Sequence, residues 1–236
     1  MFSAMFLFNA ALQAVLLVWL VRIWRQTGAA AAALLLLPQA LLIWDNLIVG
    51  SGHWIGFGDL LQSLSWPRFW GHWLCGAWLI IASGAILRLA GFSWAQERWV
   101  MGTFCLVTLA LMAYELPNFW TKVLLPVCEY DLIRYSTSVS AQQLCSPEQA
   151  VVAGGGPPIP QLVTVLVVMG AGLVLAIKRK FPWLLIGGLL MFISATPPFM
   201  RYKMDNVGEV MICLGAIWAI AHFADSRNRV RLGASG

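Results

Sequence analysis

Side chains that could do chemistry collect in four short stretches of an otherwise apolar chain. Trp44-Asp45-Asn46 closes one apolar run, and Arg68 and His72 open the next. Glu115 and Asn118 end a third run. Arg201, Lys203, Asp205, Asn206 and Glu209 introduce a last one. Arg68 and His72 are four residues apart, as are Asp205 and Glu209, so on a helix each pair points to one side. Carboxyls, an imidazole and cations gathered in a poorly solvated pocket are the usual means of moving protons in general acid–base chemistry. Asp45, His72, Glu115, Asp205 and Glu209 are therefore the candidate catalytic groups. Asn46, Arg68, Asn118, Arg201 and Lys203 are the candidates for holding a polar head of a substrate.

The elements that must position these groups are membrane spans. The chain has 236 residues, 60% hydrophobic and 11% charged, against about 25% charged in soluble domains. Apolar runs at about 3–24, 29–50, 69–90, 99–119, 161–178, 181–200 and 206–224 predict an all-α bundle of seven transmembrane helices in one domain, 1–236. The first run has no basic segment before it and no small-residue cleavage site after it, so it reads as a span rather than a leader. Residues 121–160 form a polar loop that ends in a Gly-Pro run. The Gly-rich segment 51–68 reads as an interfacial or re-entrant connection.

Charge orients the bundle. Ten of the fifteen Lys and Arg residues fall on one side, in the breaks after the first, third and fifth runs and in the tail. Eight of the ten acids fall on the other. Basic-rich loops are cytoplasmic, which predicts an outside N-terminus, a cytoplasmic C-terminus and a plasma or inner membrane location. Loop 121–160 is then extracytoplasmic, where Cys128 and Cys145 can persist as a disulfide. Cys75, Cys105 and Cys213 lie within runs and read as small apolar residues.

All four polar stretches share the outer boundary under this topology, where ionisable side chains usually face a bundle interior or a wet cavity. Most of the thirteen tryptophans fall near one boundary or the other and read as two aromatic belts. HExxH, a serine nucleophile elbow and CxxC are all missing from the sequence. The net charge of +5 is accounted for by orientation, so no nucleic-acid partner is expected. The expected function is a membrane-embedded enzyme (cyclase, transferase or hydrolase) working by acid–base chemistry on a lipid or isoprenoid-like substrate from the outer leaflet. Its partners would be the bilayer and an amphiphilic small molecule. No cofactor is expected; a divalent cation is the alternative ligand for the acids. The competing classes are an ion-coupled carrier, which needs polar groups continuing to the inner face, and a non-catalytic subunit or receptor, whose acids would only pair and leave no cavity.

Overall fold

The computed structural model describes residues 1–153, 158–200 and 202–233, with the backbone alone for Pro197, Asp205 and 227–233. Its long helices are α1 (Phe2–Thr27), α2 (Ala30–Ile55), α6 (Arg98–Glu115), α8 (Ile159–Arg179) and α11 (Met204–Gly233). Shorter ones are α3 (Asp59–Cys75), α4 (Trp78–Leu89), α5 (Ser93–Gln96), α7 (Asn118–Thr121), α9 (Trp183–Ser194) and α10 (Pro197–Met200). Five helical segments among the described residues are long and apolar enough to cross a membrane, and α3 with α4, bent by 49° at their junction, makes up to six. Helix α9 has only 12 residues. At about 1.5 Å per residue it reaches roughly 18 Å, well short of a hydrocarbon core of about 30 Å. An all-α membrane-type bundle is therefore present, with five to six candidate spans in place of seven clear ones.

Local chemistry explains where helices stop. Gly28 adopts φ 63° and returns its N–H to the Trp24 carbonyl, ending α1 in a left-handed cap that lets the chain reverse into α2. The glycine-rich segment after Trp44 departs from its sequence reading. Helix α2 runs through Gly50 and Gly52 to Ile55, and α3 already begins at Asp59. The connection shrinks to Gly56–Gly58, with φ of 77° at Gly56 and 149° at Gly58, values that side-chain-bearing residues rarely take. Gly50 and Gly52 serve packing instead. A Cβ on Gly52 would run into the Ile133 carbonyl oxygen.

Residues 121–160, read as a loop, hold a small fold of their own. Strands β1 (Leu125–Glu129) and β2 (Leu132–Ser136) pair antiparallel across a two-residue turn. Val139 bridges Val152, and a 3-10 turn at Ala141–Gln143 carries a Ser140–Gln143 capping box. The Cys128–Cys145 disulfide is present and ties β1 to the segment after that turn. The hairpin's Asp131 accepts hydrogen bonds from the backbone N–H of Phe2 (2.9 Å) and Ser3 (3.1 Å), and pairs with the Met1 amino group. A carboxylate at a helix N-terminus meets unsatisfied N–H groups and the positive end of the dipole.

The bundle therefore has two unlike ends. Toward the end away from the hairpin the bundle interior is packed with apolar side chains, including Leu16, Leu20, Leu35, Ile86, Leu175 and Ile217, all buried, while two cavities bordered by Arg88 and Gln96 and by Gln26 and His222 lie at its rim. There α9 packs between α8 and α11 at glycine contacts. Cβ atoms on Gly172, Gly187 and Gly215 would meet facing backbone atoms at 2.5–2.7 Å, the close approach that drives helix association in lipid. The hairpin end sets a polar cavity beside two small apolar clusters, one around Phe6 and Leu132 and one around Leu61 and Tyr135.

Candidate functional site

Helix α2 delivers Asp45 and α3 delivers Arg68 and His72 on successive turns of one face. Asp45 is 4% exposed and Arg68 7% exposed, so the charges face each other away from solvent. Arg68 Nε donates to Asp45 Oδ1 at 2.7 Å. His72 Nε2 lies 3.5 Å from the same oxygen, close for an ion pair but long for a hydrogen bond. Asn206 Nδ2, from α11, reaches Asp45 Oδ2 at 3.5 Å. The carboxylate is held on both oxygens, which offsets the cost of burying it. Arg68 also reaches up to the hairpin, with Nη1 3.5 Å from the Tyr135 carbonyl.

Two cavities meet at this group. The first, about 110 Å³, lies among α2, α3, α4, α8, α9 and α11 and has mostly apolar walls, including Leu35, Leu42, Leu79, Val165 and Ile212. The second, about 300 Å³, lies under the hairpin and is lined by Arg134, Gln143, Lys203 and Asn206 among others. Asp45, Arg68, His72 and Glu209 line both. They form a polar partition between an apolar chamber and a polar vestibule.

The vestibule's cations are tied to a hairpin acid. Lys203 Nζ is 2.6 Å from Glu129 Oε2, Gln143 Nε2 donates to that oxygen at 2.8 Å, and Arg134 Nη2 is 3.6 Å away. Burial raises the Glu129 carboxyl, but Lys203, Gln143 and Arg134 more than offset this and hold it below the ordinary range. Lys203 sits at φ 59°, a left-handed backbone that aims the chain into α11.

Not every sequence candidate meets here. Glu115 is buried but takes its hydrogen bond from Asn118, and neither residue lines the two cavities. Pro117 starts the short α7 just after it, so the pair closes the end of α6. Asn46 is fully buried, its Nδ2 donating to the Leu42 carbonyl within α2. Arg201 and the side chain of Asp205 lie outside the described residues. Among the described residues no group of three His, Cys, Asp or Glu side chains is placed to hold a metal ion.

Other participants were not among the sequence candidates. Gln39 is 2% exposed, lines the chamber, and donates to the Gln13 carbonyl at 3.0 Å. Cys75 and Cys213 also line the chamber. A glutamine beside Pro38 in the middle of an apolar run is a signal the sequence does carry, since amides are costly in hydrocarbon. Glu129 and Gln143 offer no such signal in a loop already rich in polar residues. No family model matches the chain, and no curated protein matches it either.

Proposed function

We propose that the protein is a membrane-embedded enzyme that performs acid–base chemistry on a lipid or isoprenoid-like amphiphile. The observation that carries this reading is the junction of an apolar chamber and a polar vestibule at Asp45, Arg68, His72 and Glu209. An amphiphile needs such a boundary: its apolar body lies in the chamber while its polar end meets the partition. His72 is the proton carrier in this scheme. Asp45 orients its imidazole, Arg68 and Asn206 fix Asp45, and Glu209 supplies a second carboxyl from α11. The substrate enters from the leaflet on the hairpin side. The apolar plug at the other end favours one-sided access over transport, since a carrier needs a polar path through both halves.

The proposal includes seven crossings with the N-terminus outside. In this reading the short α9 with α10 returns the chain across the bundle, which is supported by α8 ending far from the hairpin while Lys203, just before α11, pairs with the hairpin's Glu129. The basic residues then face the cytoplasm. The test is a cellular lipid profile of strains carrying His72→Gln or Glu209→Gln. A precursor accumulating and a product disappearing is the expected result. A profile identical to that of the wild type would overturn the enzyme reading.

A further inference from the structure

Gln161 brings an amide oxygen without a counterpart among the described residues into the chamber. Gln161, on the first turn of α8, lines the cavity opposite α2, and its Oε1 is buried without a hydrogen-bond partner among the described residues. A buried amide oxygen left unsatisfied costs stability, so such groups normally answer to something. Gln161 lies beside the α3–α4 break: a Cβ at Gly76 would sit 3.9 Å from Gln161 Nε2. Cys75 and Gly76, at that break, also face the chamber. Interrupted helices at membrane depth are tolerated where they line a cavity, and they are common places for ligands to bind. The amide thus stands near the turn that carries His72.

The charges argue about the ligand's polar end. The groups shared by the two cavities are two carboxyls, one guanidinium and one imidazole, and Arg68 is already paired with Asp45. In the vestibule Lys203 and Arg134 share the single carboxylate of Glu129. Among the described residues that line the chamber, Arg68 is the one Lys or Arg, so no unpaired Lys or Arg there faces a phosphate or carboxylate. A hydroxyl fits better. It is neutral, it can donate to the Gln161 oxygen, and it can accept from the amide nitrogen or from His72. We infer that the chamber recognises a neutral, hydroxyl-bearing amphiphile, an alcohol with an apolar body, whose hydroxyl is held between Gln161 and the His72 side of the partition. This rests on the amphiphile reading above and names the substrate class; Gln161 is its specificity-determining residue.

Three ligands of equal chain length separate the chemistries: geraniol (alcohol), geranyl phosphate (anion) and myrcene (hydrocarbon). Each is titrated by equilibrium dialysis against the full chain in nanodiscs of zwitterionic lipid. Geraniol should bind saturably, myrcene roughly tenfold more weakly or worse, and geranyl phosphate no more tightly than geraniol. Gln161→Leu should weaken geraniol roughly tenfold and leave myrcene unchanged; Gln161→Met is the substitute if the leucine variant is not monodisperse. Myrcene equal to geraniol would overturn the inference, and so would tighter binding of the phosphate. The same holds for geraniol binding that ignores Gln161. Those outcomes leave the enzyme reading standing, because it is judged by turnover in cells. Failure of all three to bind saturably would remove the amphiphile itself.

Discussion

At the scale of single residues, the Asp45–Arg68 pair is an unforgiving contact, because both partners are buried. Removing one partner of a buried pair strands the other charge, typically at a cost of about 3–5 kcal/mol. Asp45→Asn alone should therefore destabilise the protein by about that amount, read as a lowered thermal midpoint in detergent. Asp45→Asn combined with Arg68→Met should recover most of the stability but none of the activity. If the double variant melts as low as the single one, Arg68 is held by other contacts. Glu115→Gln makes the contrasting case, because Glu115 lies outside both cavities and is hydrogen-bonded to Asn118. It should leave the lipid profile at the wild-type level. The sequence made Asp45, Arg68 and His72 legible because polar groups at span ends are rare and the i, i+4 spacing aligns them. It could not separate Glu115 from Glu209. Both are acids near the end of an apolar run, and only helix placement tells which faces the chamber.

At the scale of elements, the hairpin unit is attached by charges as well as by the packing of Leu124, Leu132 and Tyr135 on α1, α2 and α3. Asp131 caps α1 and Glu129 holds Lys203. Partial burial raises Asp131, but hydrogen bonds from the Met1 amino group, Ser3 and Phe2 overcome this and hold it well below the usual carboxylate range. Glu129 is also depressed. A depressed carboxyl contributes stability that is present above its unfolded pKa, about 4, and is lost as pH falls through the folded value. Docking should thus be intact at pH 6 and loosen below about pH 4. Hydrogen exchange at the β1 and β2 amides would show it, with protection falling in acid. Unchanged protection at pH 3 would mean that packing, not charge, holds the unit. The disulfide closes a separation of 17 residues. Cys128→Ser with Cys145→Ser should cost the unit about 3 kcal/mol by chain entropy. The sequence signalled the cysteine pair through compartment and spacing. It did not signal the hairpin, whose five-residue strands are too short to show a reliable alternation, nor the start of α3 at Asp59, because helix continues through glycines wherever close packing favours them.

At the scale of the whole molecule, the organising feature is the asymmetry between a polar, covered end and an apolar plug. The apolar runs and the distribution of Lys and Arg carried most of that, since both are set by the bilayer. The depth of each span was less legible, because α9 is too short by itself and α3–α4 is broken at Gly76–Ala77. Orientation can be checked on intact cells with a membrane-impermeant maleimide, in a background where Cys75, Cys105 and Cys213 are replaced. Glu148→Cys, exposed beside the hairpin, should be labelled from outside. Gln26→Cys, exposed at the opposite end, should be labelled only after permeabilisation. The reverse pattern would invert the bundle.

The chamber's role is tested most directly by what the purified protein retains. Wild-type and Glu209→Gln protein, extracted from the same membranes in mild detergent, can be compared by mass spectrometry of their bound lipids. A single amphiphile enriched on the Glu209→Gln variant, and replaced or depleted on the wild type, is the result expected of an enzyme stalled with its substrate in place. The same bulk phospholipid on both proteins, with no enriched species, would contradict it.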